Sequence, residues 1–353
     1  MKILGKEIKN MYLIIALLIF IIIVSLITFV IIKNNDIKND HYKTKKVENA
    51  KEIEIEIPEG AYLSEIANIL YEKGIIKYTD KFIEFATAEG NSNKYKYGVF
   101  YLNVNMSYEE ISEALQQVGA KPNSVKITIP EGYELRQIIE LCIEKGIGKE
   151  EGYKNAILNS HFDYWFLEGI EKTDVYLEGY LFPATYTISK DSSEEEVLKE
   201  MLNKFESVFT EDMKTKTTEL GMSVHEIITL ASIVEREAAN DSERDIVASI
   251  FYNRLNSKTY PYLESCATVQ YILKERKPVL SNADTNIDSP YNTYKNPGLP
   301  PNPIASPGLE SIKATLYPAT TDYLFFVLGN DGKHVFSKTY NEHLAAISKI
   351  RGK

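Results

Sequence analysis

The sequence predicts an α+β protein that carries one N-terminal membrane helix. Three observations predict it. Met11 to Ile32 is a run without a single charge; a strand–turn–helix pattern occurs twice; and from Tyr176 onward amphipathic helical stretches alternate with aromatic, proline-rich segments. The expected organisation is a short tail (1–10), a transmembrane segment (11–32), a linker (33–50), an αβ subdomain (51–122) and a mixed α+β domain (123–353).

The membrane helix follows from length and composition. The uncharged run of 22 residues spans about 33 Å as a helix, enough to cross a bilayer core. It ends Phe29-Val30-Ile31-Ile32-Lys33 with no small-residue cleavage site, so it reads as an uncleaved signal anchor. Lysines flank both sides, and their count does not orient it; a large C-terminal domain is exported largely regardless of charge. Asn34 to Ala50 is polar and lysine-rich and reads as a flexible spacer.

The αβ subdomain follows from an internal repeat. Ile55-Glu56-Ile57-Pro58-Glu59-Gly60 returns 72 residues later as Ile127-Thr128-Ile129-Pro130-Glu131-Gly132. Leu63 and Ile66 return as Leu135 and Ile138, and Glu72-Lys73-Gly74-Ile75 returns as Glu144-Lys145-Gly146-Ile147. Each copy reads as a strand, a Pro-Glu-Gly turn and a helix stopped by glycine. Val99 to Val104 reads as a further strand, and Ser107 to Val118 as a helix with a Ser107–Glu110 capping box. The unit is similar to LysM-type glycan-binding modules. It serves equally well as a structural platform.

Composition narrows the function. Of 353 residues 44% are hydrophobic and 25% charged, ordinary for a folded chain. A net charge of −10 argues against nucleic acid as ligand. The 24 tyrosines suit sugar faces, and also ordinary cores. Cys142 and Cys266 are distant and form no CxxC or Cys/His cluster, so neither a disulfide framework nor a zinc site is expected. Cys142 falls in an apolar helical pattern and reads as core.

The mixed domain carries the segments with chemistry. Tyr176 to Tyr186 is an aromatic stretch with Gly and Pro, a strand or loop with close backbone packing. Ser193 to Phe209 reads as an amphipathic helix. In Val224 to Ala238 an apolar stripe runs through Val224, Ile227, Ile228, Ala231, Val234 and Ala238. Glu235 lies at its margin, and no cation stands three or four residues away. A carboxyl against apolar surface suits a general acid; a boundary glutamate paired with a distant cation fits the same pattern. Asp241 or Ser242 is expected to cap a helix over Glu243 to Leu255. Asn253 and Arg254 near its end could orient a substrate or satisfy helix-end carbonyls. The block from Tyr291-Asn292-Thr293-Tyr294 through Gly298-Leu299-Pro300-Pro301-Asn302-Pro303-Ile304 to Pro307-Gly308 is too rich in proline for a helix or central strand, and reads as a rigid loop lining a groove. Tyr323 to Leu328 reads as a buried strand. His334 and His343 suggest a metal only weakly, without an HExxH motif or a carboxylate cluster.

Together these segments resemble the YceG-like family of membrane-anchored endolytic murein transglycosylases. The resemblance rests on Glu178-Gly179-Tyr180-Leu181-Phe182-Pro183, Ala231-Ser232-Ile233-Val234-Glu235-Arg236-Glu237, Ala248-Ser249-Ile250-Phe251-Tyr252-Asn253-Arg254-Leu255 and the Tyr-Asn-Thr-Tyr and Gly-Leu-Pro-Pro motifs. It implies that Glu235 is the catalytic acid/base and that the body lies outside the cell membrane. It implies substrate-positioning roles for Glu237, Asn253, Arg254, Thr268, Tyr271, Asn292 and Tyr294. In one place the chain departs from the pattern: Cys266 stands where the family often has Asp, which puts a second carboxylate role there in doubt.

The implied reaction cuts the β-1,4 bond between N-acetylmuramic acid and N-acetylglucosamine in nascent peptidoglycan, leaving a 1,6-anhydro end and terminating strand growth. One carboxyl suffices, because the nucleophile is the sugar's own C6 hydroxyl. No cofactor or metal is expected. The implied partners are glycan strands, the membrane and a peptidoglycan synthase, with no nucleic acid. The rivals are a hydrolytic muramidase of the same fold and a non-catalytic wall-binding scaffold. A solute-binding lipoprotein is disfavoured, since no lipobox cysteine follows the apolar run.

Overall fold

In a computed structural model, residues 2–119 and 123–352 are described, with side chains from Leu17 onward. The chain divides into two units, Met1–Ser124 and Val125–Lys353. The expected boundary after Pro122 falls on residues 120–122, outside those described.

The first unit begins with one continuous helix, α1 (Lys2–Tyr42). From Leu17 to Ile32 every side chain is exposed, and this is the one helix among the described residues long and apolar enough to cross a membrane. The expected spacer is not loose at its start. Residues 33–42 continue α1, and Asp40 is buried, accepting from Tyr108 Oη (2.6 Å), Lys43 Nζ (2.8 Å) and the main-chain N–H of Lys77 (2.8 Å). A polar composition suggests solvation; here the acid is buried because donors surround it.

Strand β1 (Glu52–Ile57) owes its form to strict Glu/Ile alternation, which sends Ile55 and Ile57 to one face. After α2 (Leu63–Glu72) and α3 (Thr79–Ala88), β2 (Gly98–Asn103) pairs antiparallel to β1 with Ile55 opposite Phe100. Helix α4 (Tyr108–Gln116) starts at the expected Ser107–Glu110 capping box and stops two residues short of Val118. Ile55, Leu70, Phe82, Leu102, Tyr108 and Ile111 fill this unit's core.

The second unit repeats the pattern. Strand β3 (Ser124–Thr128) and α5 (Leu135–Glu144) follow β1 and α2 at the spacing of the repeat, and both helices end the same way: Ile75 N donates to Leu70 O, and Ile147 N to Cys142 O, each at 2.9 Å. Cys142 is buried as expected. Helix α6 (Glu150–Asn159) follows. The stretch from Tyr176 forms turns that lead into β4 (Thr185–Ser189), the partner of β3.

Helices α7 (Glu194–Val208, capped by Ser193) and α8 (Glu211–Glu219) lead to α9 (Val224–Glu237). Helix α9 is not the half-buried helix that its stripe predicts. Every residue from Ile227 to Val234 is buried, because one side (Ile227, Ile228, Ala231) joins the core of the repeat and the other (Leu230, Ile233, Val234) joins a second core with Val247, Phe251 and Ile304. A helix apolar nearly all round is a central one.

A short 3-10 turn, capped by Asn240 rather than by Asp241 or Ser242, precedes α10 (Arg244–Leu255). Helices α11 (Cys266–Leu273) and α12 (Asn282–Thr285) follow, then an irregular stretch through the prolines to α13 (Leu309–Leu316). Strands β5 (Phe325–Leu328) and β6 (His334–Ser337) form an antiparallel pair beside α14 (Tyr340–Arg351). The expected buried strand is only partly so: Phe325 is buried, whereas Leu328 is 54% exposed. A two-stranded ribbon leaves one face to solvent, so an apolar run does not guarantee burial.

Candidate active site

Glu235 lies in the last turn of α9, at the negative end of its own helix dipole. Tertiary structure compensates. Its carboxyl meets the N-terminus of α13, where Oε2 accepts from the main-chain N–H of Gly308 (3.0 Å) and from Ser311 Oγ (2.8 Å). Arg244, the first residue of α10, places Nη1 3.2 Å from the same oxygen. Arg244 also donates to Ser311 Oγ (2.5 Å) and to Asp241 (3.1 Å). The side chain of Glu235 is 7% exposed. All three donors converge on Oε2, and no donor among the described residues reaches Oε1. One oxygen is thereby clamped. The carboxyl set against apolar surface with no cation near, as read from the helix alone, is corrected: Arg244 supplies a cation from the next helix.

The irregular proline-rich stretch positions the site. Ile304 N donates to Ser232 Oγ (3.0 Å), and Pro301 O lies 2.8 Å from His225 Nε2, so this stretch is fastened along α9. Gly179 fits against it: its φ is +88°, and a Cβ there would meet Pro303 at 2.5 Å. Only glycine allows both. The second Pro-Glu-Gly turn is stitched to the same stretch, with Gly132 N donating to Ser306 O and Ser306 N to Tyr133 O, each at 2.8 Å.

The expected positioning residues fall into separate groups. Glu237 is half-buried beside α11 and accepts from Ser265 Oγ (2.5 Å) and Ala267 N (3.2 Å); desolvation raises its carboxyl pKa. Thr268 Oγ1 lies 2.9 Å from Thr293 Oγ1, Ser265 N donates to Thr293 Oγ1 (3.0 Å), and Tyr294 Oη lies 3.1 Å from Cys266 Sγ. These residues therefore form one hydrogen-bonded group. Asn292 is fully buried and donates to Thr285 O (3.0 Å) and Ile287 O (2.8 Å). Asn253 donates to Thr321 O and Tyr323 O. Arg254 donates to Leu324 O, Tyr262 O and Leu263 O and pairs with Glu264 (2.8 Å). In Asn253, Arg254 and Asn292 the polar groups are committed to the main chain and hold loops. Tyr271 stands apart: with Tyr291, Arg136 and Glu178 it lines a cavity of about 780 Å³, and its hydroxyl donates to Glu178 (3.1 Å).

Sequence reasoning missed Arg244 and Ser311. They lie 9 and 76 residues beyond Glu235, and nothing in a helical period joins them to it. His334 pairs with Glu243 (2.9 Å), and among the described residues no group of three or more potential metal ligands gathers.

Comparison with known proteins places this arrangement in context. The sequence model of the YceG-like family matches residues 55–349. The chain is 37% identical over 313 residues to the endolytic murein transglycosylase of Bacillus subtilis (strain 168), with 84% of each chain covered. It is 34% identical over 322 residues to the endolytic murein transglycosylase of Streptococcus pneumoniae R6, covering 83% of this chain and 57% of that longer one. A 2.6 Å crystal structure of a YceG-like protein from Listeria monocytogenes shares 33% identity, with a TM-score of 0.55 over 84% of this chain and 99% of that one.

Proposed function

Because the chain belongs to the YceG-like family, we propose that it is a lytic transglycosylase that cuts peptidoglycan glycan strands internally, with Glu235 as its acid/base. One observation carries the reading: a carboxyl clamped through Oε2 by three donors, with Oε1 free to carry the proton.

The steps follow from that geometry. Protonated Glu235 donates from Oε1 to the glycosidic oxygen as the bond to C1 of the muramoyl sugar breaks. The C6 hydroxyl of the same sugar attacks C1, and its proton passes to the Glu235 carboxylate. The product is a 1,6-anhydro end, the acid is restored, and water is not consumed. An intramolecular nucleophile supplies the proximity that a bound water lacks. Gly308, Ser311 and Arg244 stabilise the carboxylate formed between the two proton transfers.

The rest of the reading extends the same proposal. The apolar run 11–32 anchors the protein in the membrane, with the body on the extracytoplasmic side. Residues 125–353 carry the reaction. The repeat in the first unit acts as a LysM-like glycan holder. Cutting near the membrane ends strand growth beside a synthase. Tyr294, held from behind by the buried Thr268–Thr293 pair and Glu237, shapes the sugar-binding surface, Asn253, Arg254 and Asn292 hold the loops around it, and Tyr271 contributes from its separate cavity.

The test is mass spectrometry of glycan strands digested by the detergent-solubilised full chain and by its Glu235→Gln variant. Anhydro-muramoyl ends from the wild type alone support the proposal. Reducing ends indicate a hydrolytic muramidase. Glycan binding without cleavage by either protein indicates a scaffold.

A further inference from the structure

The two Pro-Glu-Gly turns of the repeat are alike in sequence and unlike in setting. Around Gly60, in the first copy, a Cβ would meet nothing within 4 Å. The second turn lies over the catalytic carboxyl: a Cβ on Gly132 would stand 3.6 Å from Glu235 Cγ.

That turn carries Glu131. Its carboxyl occupies the space where a side chain on residue 308 would begin, since a Cβ on Gly308 would stand 2.1 Å from Glu131 Oε1. The N–H of this same Gly308 donates to Glu235 Oε2. Two carboxyls therefore meet at one residue, the N-cap of α13. The backbone bridges from Gly132 to Ser306 and from Ser306 to Tyr133 hold the turn there. Glu131 is exposed, and no donor among the described residues is hydrogen-bonded to it. A carboxyl seated against the active site, open to solvent and without a protein donor, has its acceptor capacity free for a ligand.

We propose that Glu131 is a second substrate-contacting carboxyl of this site, accepting a hydrogen bond from a sugar hydroxyl or N-acetyl N–H at the scissile bond. The proposal rests on the reading of Glu235 as the acid. Its electrostatic setting agrees with such a pair. Partial desolvation where the carboxyl rests against Gly308, and then the charge of Glu235, push Glu131 above its ordinary pKa; Asp241 and Glu310 act in the same direction, and Arg244 opposes them. Glu131 thus lies in the field of the Glu235 charge, so removing its ionisable group should change the pH dependence of the rate.

The test compares wild type, Glu131→Gln, Gly308→Ala and Glu235→Gln as full chains in detergent, on uncross-linked glycan strands over a range of pH. Glu131→Gln keeps the size of the side chain and the exposed turn, so its melting temperature should match the wild type. Its kcat/KM should fall roughly 10- to 100-fold, the loss of a hydrogen bond to a charged acceptor, and its pH–rate profile should shift. Gly308→Ala, which pushes the Glu131 carboxyl out of its seat, should lose rate as well. Wild-type rate and pH profile in Glu131→Gln overturn this inference alone. No cleavage by the wild type overturns the parent reading and this inference with it.

Discussion

The carboxylate oxygen Oε2 of Glu235 accepts the main-chain N–H of Gly308 at 3.0 Å. The catalytic candidate on α9 is thus oriented by the start of α13, a helix 73 residues further along the chain. Orientation by a helix N-terminus costs no side-chain entropy and supplies a fixed dipole, which is how a single carboxyl is held ready without a second acidic partner on its own helix.

Ser311 links the acid to Arg244, accepting from the arginine while donating to Glu235. Ser311→Ala should lower kcat by roughly 10-fold, from the loss of one hydrogen bond to a charged group, with KM little changed. Steady-state kinetics on soluble glycan strands check it. A change confined to KM would mean that Ser311 acts in binding rather than in orienting the acid.

Arg244 and Glu235 are an ion pair with side chains 11% and 7% exposed. Arg244→Met should destabilise the second unit by about 3–5 kcal/mol, because it leaves a buried carboxylate without its cation. The double variant with Glu235→Gln should recover part of that loss. Thermal denaturation of the four proteins in one buffer measures the coupling; additive losses would show that the pair is not coupled.

Gly179→Ala should be more damaging than Gly298→Ala. Both glycines have positive φ, +88° and +84°, so each alanine carries left-handed strain of roughly 1–2 kcal/mol. Only at Gly179 does the new Cβ also strike Pro303, at 2.5 Å, whereas Gly298 has open space. The overpacking adds about 1–3 kcal/mol. Melting temperatures of the two variants should separate accordingly, and equal losses would count against the close approach of the two segments.

Glu178 gives a pH dependence of stability. It is 2% exposed, and burial pushes its carboxyl up to about 8, against the opposing pull of hydrogen bonds from Leu135 N and Tyr271 Oη. The folded state holds this proton more tightly than the unfolded chain does. The associated stability is therefore complete below about pH 4.5 and is lost as the pH rises to about 8. Glu178→Gln should flatten that decline, with the variant gaining on the wild type between pH 5 and 8 by an amount on the order of a few kcal/mol. Chemical denaturation at several pH values checks it; parallel curves for both proteins would mean that Glu178 does not titrate in this window.

Much of the architecture was legible because its causes are local. Glu/Ile alternation writes β1, the Ser107 box starts α4, and the repeat returns the same strand and helix at the same spacing. Other elements were misread where a local pattern met a tertiary cause. The polar stretch after Lys33 looked like spacer because Asp40 finds its donors on distant residues. The apolar run at Tyr323 looked buried because period and composition do not say how many faces of a two-stranded ribbon are covered.

By itself the sequence determined the repeat, the apolar N-terminal helix, the order of the motifs and Glu235 as the carboxyl to watch. Each depends on neighbours within a turn or two, or on identities that a chain retains unfolded. Tertiary structure alone decided what surrounds that carboxyl: the Gly308 N–H, Ser311 Oγ and Arg244 on Oε2, and Glu131 seated against Gly308. It also decided that α9 is buried all round and that Asn253, Arg254 and Asn292 spend their polar groups on loops. The physical reason is range. Periodicity and capping act over three or four residues, whereas these donors reach the site through helix packing that brings together residues from 9 to more than 100 positions apart.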